Sequence, residues 1–510
     1  MGICRLFAVV TLCAGTAVST FADVWLPTER WRGFNLQDGH WRDGWIEYSE
    51  DDFAFMKEFG FNFARLPLSY RRWLSSPDDW ESITPEKFAF LDHAIALGRK
   101  YGIHIMINLH RAPGYTVAGG KPEPASLWDS PEAERVFLKH WLFIAERYRD
   151  VPASCLSFNP VNEPPEIPES TYARVMTSVT DAIRKVTPDR FVVVDAMGGD
   201  RHPCKALFGR TDIGQSTRGY MPEDVSWWTA EKNGRPQPLP QWPLNGLAPA
   251  GVIAGQGKPH LAEPLVITVY GPGRFEIRPG RVSATFTLRA ASGTNVLSRL
   301  VLNPRKDDSL WSDVSYFPQW KMSQGNYCGI WRFDVPSGEH HVAITCEKGD
   351  WCNLREIDYS SEDGSKRVSM PFYNRFASAV NFRQRLKGWA GDAKGFFPVD
   401  ADGRWSRIRY RDPGKEYLYR GVVRPWEEAM SRGVFAFCGE FGAQNETPHN
   451  IHLALLEDYL QLFRERNMGW AVWQIRGETG VMDSNRKDVD YEDWRGHQLD
   501  REMLDLLMRY

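Results

Sequence analysis

Along most of the chain, short apolar runs alternate with segments whose apolar residues recur at helical spacing. Arg32-Gly33-Phe34-Asn35 reads as a first short strand. Ser49-Glu50-Asp51-Asp52 then caps a helix through Phe53, Met56 and Phe59 that stops at Gly60. Residues 61–69 predict a second strand, and Thr84-Pro85 opens a second helix with Phe88, Leu91 and Ile95 on one face, ending at Gly102. Residues 103–110 are apolar almost throughout, as a strand covered on both faces must be. Ser130-Pro131 starts a helix carrying Phe137, Trp141, Ile144 and Tyr148. A strand at 155–162, a helix at 172–186 and strands at 191–196 and 213–220 follow. The rhythm then breaks, and resumes with a helix at 425–431, a seventh strand at 434–439, a helix at 451–466, an eighth strand at 470–474 and a closing helix at 499–508. Eight strands with intervening helices predict an α/β fold, a (β/α)8 TIM barrel.

The break has its own pattern. Residues 221–260 are rich in Pro, Gly and Trp and read as an irregular loop. From 265 to 359 the signal is β only: Val282, Ala284, Phe286 and Leu288 alternate with their neighbours. Residues 329–335 and 340–346 flank a turn expected at Pro336-Ser337-Gly338. The expectation is an antiparallel β-sandwich at 261–360, inserted between strands six and seven of a barrel made of residues 23–260 and 361–510; its ending, residues 338–344 followed by 354–357, resembles the last strands of carbohydrate-binding jelly-roll modules. Trp311, Trp320, Trp331 and Trp351 lie in it. They offer flat surfaces for sugar rings, fill the sandwich's own core, or belong to a wall at one end of a cleft.

Composition narrows the function classes. A chain of 510 residues with formal charge −3 gives no reason to expect a nucleic-acid partner. Arg5, an apolar run over 6–18 and small residues around Ala22 read as an export signal at 1–22, too short to span a bilayer, so a secreted protein without a membrane span is expected. Of eight cysteines, six lie beyond that signal (Cys155, Cys204, Cys328, Cys346, Cys352 and Cys438). Their spacing leaves disulfide pairing open and matches no structural zinc site.

In a barrel of this kind, reacting groups sit where strands end. Those ends supply Asn35, Arg65, His110, Asn162-Glu163, Tyr220, Glu440 and Trp473. Each alone has an ordinary explanation, such as satisfying a buried carbonyl; their joint occurrence at matching ends does not. Two carboxyl groups from opposite sides of a barrel mouth are what glycoside hydrolysis requires, and no metal or organic cofactor is expected for it. Glu166, beyond Pro164-Pro165, is a rival acid but reads as loop surface. Met197-Gly198-Gly199-Asp200 lacks a phosphate-loop pattern and reads as a rim turn.

Phe158-Asn159-Pro160-Val161-Asn162-Glu163-Pro164 resembles the strand-four signature of glycoside hydrolase family 5, and Phe437-Cys438-Gly439-Glu440-Phe441-Gly442 its strand-seven motif. Arg65 in Ala-Arg-Leu-Pro, His110 in Ile-Asn-Leu-His and Trp473 in Trp-Ala-Val-Trp extend the likeness from about residue 31 to 510, insertion excluded. The resemblance implies a retaining enzyme acting on β-linked oligo- or polysaccharide, β-1,4-glucan first. Mannan, xyloglucan, β-1,3 or mixed-linkage glucan and chain-end glycosides stay open, as does glycosyl transfer. It implies Glu163 as acid/base and Glu440 as nucleophile braced by Arg65. Asn162 would hold the sugar 2-hydroxyl, His110 would bind hydroxyls or orient the carboxylates, Tyr220 would donate to Glu440, and Trp473 would form the floor. A catalytically silent sugar-binding protein is the alternative of another class. One position departs from the family: Arg218-Gly219-Tyr220 stands where His-x-Tyr is expected. A guanidinium there favours ionised Glu163 and works against an acid role.

Overall fold

The computed structural model describes residues 24–37, 47–117, 122–200, 202–232, 235–237, 239–240, 242–243, 252–254, 265–318, 321–364, 367–371 and 413–510. The expected export signal at 1–22, with Cys4 and Cys13, and Trp320 lie outside the described residues.

Eight parallel strands close into a barrel: β1 (Arg32–Asn35), β2 (Phe63–Ser69), β3 (His104–Ala112), β4 (Leu156–Asn159), β5 (Val192–Asp195), β6 (Ile213–Gly219), β7 (Ala436–Phe441) and β8 (Gly469–Val472). β1 pairs with β8 as well as with β2, which closes the ring. The strands are buried on both faces, the reason their sequences read as apolar runs rather than alternations.

The helices start where short polar side chains satisfy free backbone amides. Ser49 accepts from the Asp51 amide at the head of α1 (Glu50–Glu58), and Ser130 from the Ala133 amide at the head of α3 (Pro131–Arg147). α2 (Ala89–Tyr101) ends on Gly102 in the left-handed conformation, φ 70°. Its expected start at Thr84-Pro85 is instead a 3-10 turn, Pro85–Phe88, leading into the helix. α4 (Glu169–Val186), α5 (Arg424–Ser431), α6 (His449–Glu465) and α7 (Arg501–Arg509) complete the outer layer. Among the described residues no helix is long and apolar enough to cross a membrane.

The barrel floor is aromatic. Trp31, Phe63, Phe191 and Phe437 pack with Met106, Val193 and Ala471, and Trp31 stacks on Phe63 with ring centres 4.6 Å apart. Rings fill this end because the narrow parallel barrel leaves space for large side chains but not for water.

Between β6 and β7 the chain forms a separate nine-stranded antiparallel sheet. It extends past the expected 261–360 on both sides, since Val252–Ala254 and Arg367–Pro371 each add a strand to Trp351–Ser361. The turn expected at Pro336-Ser337-Gly338 is absent; these residues lie inside one strand, Trp331–Lys348. There the ladder to Leu265–Ser283 shifts register opposite Gly271 and Gly273, and a side chain at Gly271 would meet the Pro336 carbonyl at 1.8 Å. A bulge accommodates the same Pro and Gly that otherwise signal a turn. The alternation through Ala284 is likewise interrupted: Ala284 has φ 57° and separates two strands. Trp331 and Trp351 are buried in the sheet's own core, whereas Trp311 is half-buried against Tyr327. All six cysteines among the described residues are free thiols, including Cys346 and Cys352 on either side of the Gly349-Asp350 turn.

Candidate active site

The mouth of the barrel holds a buried polar network assembled from the ends of β1, β2, β4, β5, β6 and β7. Arg65, fully buried on β2, is its centre. It donates to Asn159 Oδ1 (3.0 Å), Asn35 Oδ1 (3.0 Å), Asn162 Oδ1 (2.7 Å) and Glu440 Oε1 (2.6 Å). Asn35 ties the strands beneath it by donating to the carbonyls of Gly439 and Val472.

Glu440 reaches this network through an irregularity in β7. The β6–β7 register slips between Cys438 and Glu440, bringing Glu440 opposite Arg218. Gly439 is required there, because a Cβ would lie 2.5 Å from Ser216 Oγ and 3.0 Å from Arg218 Nη1. Tyr220 donates to the other Glu440 oxygen at 3.0 Å, and burial, with Glu440 next, pushes its phenol well above the ordinary tyrosine range.

Glu163 follows β4 with φ 43°, a left-handed backbone that costs a non-glycine residue about 1–3 kcal/mol. Two bonds hold it: its N–H donates to Asp195 Oδ2 (3.0 Å) and its carbonyl accepts from the Tyr115 hydroxyl (2.6 Å). Its side chain keeps 22% of its surface open at the mouth. Burial foremost, then the Glu440 charge, raise the Glu163 carboxyl to about 7; Arg218 and Arg65 pull the other way and Asp195 adds to the rise.

Arg218 lies near the end of β6, opposite Glu440. Its Nε lies 3.3 Å from Glu163 Oε1, and its Nη2 donates to Asn162 Oδ1 (2.8 Å) and Asp195 Oδ2 (2.6 Å) and lies 3.0 Å from Glu440 Oε1. It favours ionised Glu163, as expected, but burial and the neighbouring carboxylates outweigh it. Asp195, at the end of β5, was not among the residues singled out from the sequence. Burial would raise its carboxyl, but Arg218, Arg65 and hydrogen bonds from the Glu163 amide and Asn159 hold it below the ordinary value. Asp195 closes the apolar run Val192-Val193-Val194 at a strand end, the same sequence signal that marks the other groups at the mouth.

His110 and Trp473 stand together at the rim, ring centres 5.4 Å apart. Trp473 is anchored by its amide, which donates to the Phe441 carbonyl. Glu166 is exposed and lies 3.7 Å from His202, in keeping with loop surface. Met197-Gly198-Gly199-Asp200 is a rim turn with both glycines left-handed.

Residues 20–240 match the family model described as Cellulase (glycosyl hydrolase family 5). The match takes in Arg65, His110, Asn162, Glu163, Asp195, Arg218 and Tyr220, and ends before the inserted sheet and Glu440. A β-xylosidase of Phanerodontia chrysosporium is 31% identical over 163 residues, 30% of this chain and 33% of that protein. Endoglucanase C of Acetivibrio thermocellus is 25% identical over 154 residues, 30% of this chain and 43% of its own length. The chain thus spans about a third to two fifths of the curated relatives it matches. A crystal structure described as a glycoside hydrolase superposes over 94% of this chain and 99% of its own, with TM-score 0.56 and 22% identity, which establishes the shared fold.

Proposed function

We propose that this protein is a retaining β-glycoside hydrolase in which Glu440 is the nucleophile and Glu163 the acid/base. The observation that carries this reading is the contrast between two glutamates sharing one guanidinium. Glu440 accepts from Arg65 and Tyr220 and faces Arg218, three donors suited to a carboxylate. Glu163 is held in an environment that favours its protonated form near neutrality.

The chemistry follows from that contrast. The Glu440 carboxylate attacks the anomeric carbon while the Glu163 carboxyl gives its proton to the departing glycosidic oxygen, so one C–O bond breaks and an ester forms. Forming the ester removes the Glu440 charge that held the Glu163 proton. Glu163, now a carboxylate, takes a proton from water as that water attacks the ester, releasing sugar and restoring Glu440. Asn162 has its oxygen fixed by Arg65 and Arg218, which leaves its buried amide N–H groups without a protein partner and available to the sugar 2-hydroxyl. Trp473 and His110 form the rim against which the sugar lies.

The relatives' names, endoglucanase and β-xylosidase, favour a β-linked plant-type glycan, with β-1,4-glucan first. Residues 1–22 act in this reading as the export signal that brings the enzyme to it. The test is a reducing-end and product-size screen of the purified protein on β-1,4-glucan, mannan, xyloglucan, mixed-linkage glucan and aryl β-glycosides, with proton NMR of the first product. New reducing ends with the β configuration are expected. An α first product, or no turnover of any of these by the wild-type protein, overturns the reading.

A further inference from the structure

Five ionisable side chains share one hydrogen-bonded set at the mouth: Arg65, Glu163, Asp195, Arg218 and Glu440. The proposed chemistry employs Glu163 and Glu440, with Arg65 as brace. It assigns nothing to Asp195, and to Arg218 only its contacts with Glu440 and Asn162.

Arg218 is not available to an anionic substrate. Its Nε faces Glu163 (3.3 Å), Nη1 donates to Ser216 Oγ (3.0 Å) and the Thr217 carbonyl (3.2 Å), and Nη2 donates to Asn162 (2.8 Å) and Asp195 (2.6 Å). All five guanidinium N–H groups are directed at protein acceptors. Its task is internal.

A permanent cation against an acid presents a conflict, because it stabilises the ionised form that cannot protonate a leaving group. Asp195 is placed to resolve it. One oxygen takes both the Arg218 guanidinium and the Glu163 amide, and the other accepts from Asn159 Nδ2 at 2.9 Å. With Asp195 ionised, Arg65 and Arg218 balance Glu440 and Asp195, so the set is neutral when Glu163 carries its proton. Remove the Asp195 charge, and the same set becomes neutral only when Glu163 has lost it.

The geometry points to Asp195 and Arg218 as a charge-compensated positioning pair for Glu163. Arg218 orients the Glu163 carboxyl and the Asn162 amide, while Asp195 pins the Glu163 backbone and cancels the guanidinium charge. This rests on reading Glu163 as the acid/base. The charged groups facing Glu163 are Arg65 from β2, Asp195 from β5, Arg218 from β6 and Glu440 from β7, with the Tyr220 phenol just beyond β6.

The test is a titration of Glu163 in the ligand-free, full-length protein by carbon NMR of carboxyl-labelled glutamate, with Glu163→Gln identifying the resonance. Asp195→Asn should lower the Glu163 midpoint by about one pH unit or more, and Arg218→His should raise it by a similar amount. Arg218→Lys, which keeps the charge, should leave it within about half a unit, and Asp195→Asn with Arg218→His should return toward the wild-type value. The alkaline limb of kcat/KM should move with each midpoint. A midpoint that stays put or moves the opposite way in Asp195→Asn or in Arg218→His, in a variant that keeps the wild-type melting transition, overturns the proposal, as does a shift in Arg218→Lys as large as that in Arg218→His. Absence of turnover on every glycan would sink the hydrolase reading instead, since the titration needs no substrate.

Discussion

The two ends of the barrel both bury arginine and histidine, but they give them different partners. At the floor, Arg190 donates to the carbonyls of Leu156 (2.7 Å), Val151 (2.8 Å) and Tyr148 (3.1 Å). His104 lies between Ser154 O and Ser157 Oγ and stacks on Trp25 and Trp31. Burial lowers Arg190 to about 10 and His104 to about 4. At the mouth, Arg65 and Arg218 meet carboxylates instead. Carbonyls satisfy a guanidinium's donors but supply no compensating charge, so such a site has one working state. Carboxylates supply both, and where one of them sits near its titration point the site has two. A buried arginine is therefore no sign of chemistry by itself; the charge of its partners separates a structural site from a reactive one.

Substituting at either end separates the two most sharply. Glu440→Gln should lower kcat by about a thousandfold or more on any substrate the screen identifies, with the melting temperature nearly unchanged. Phe437→Ala, three residues earlier on the same strand, should do the opposite. Phe437 is fully buried and packs edge-on against Trp31 (5.5 Å) and Phe63 (5.6 Å), so its loss should cost about 3–5 kcal/mol in denaturant unfolding. Turnover per folded molecule should stay within about twofold of wild type. If both variants lose activity and stability together, the two ends of the barrel act as one unit and the comparison fails.

The smallest expected effect is in the pH dependence of stability, and its sign differs between the ends. Glu163 is raised from 4.5 to about 7 in the folded protein. Its contribution is full below pH 4.5 and is lost as pH rises toward 7, so Glu163→Gln should gain on wild type across that window and stay ahead above it, by up to about 3 kcal/mol. His104 is depressed from 6.5 to about 4. Its contribution is present above pH 6.5 and is lost as pH falls toward 4, so His104→Gln should flatten the acid side of the curve over that interval, again by up to about 3 kcal/mol. Chemical unfolding at pH 4, 5.5, 7 and 8.5 measures both. Curves that shift in parallel with no change of slope would refute the assignment of either group.

Much of the fold is legible in the sequence because a parallel barrel buries each strand on both faces. Residues such as 103–110 therefore announce themselves as continuous apolar runs, and helices such as α1 and α3 announce their starts through Ser49 and Ser130. The inserted segment is β in pattern for the same reason that its faces alternate, as Phe286 and Leu288 do. What misled there was Pro336-Ser337-Gly338, because a turn and a bulge ask for the same residue types and only the partner strand, at Gly271, distinguishes them.

The candidate site divides along similar lines. Position at a strand end is a property of local sequence, so Arg65, Asn162, Glu163, Tyr220 and Glu440 were recognisable one by one. Which guanidinium touches which carboxylate depends on register between strands far apart in the chain, such as Arg218 opposite Glu440 across 222 residues of sequence, and on the slip at Gly439 that produces it. The sequence alone therefore determined the barrel, its interruption and the residues at its mouth other than Asp195. Only the tertiary structure decided that Arg218 is offset by Asp195 and that burial and Glu440 raise the Glu163 carboxyl to about 7. Charge balance in a buried cluster is a sum over neighbours, and neighbours are set by folding rather than by spacing along the chain.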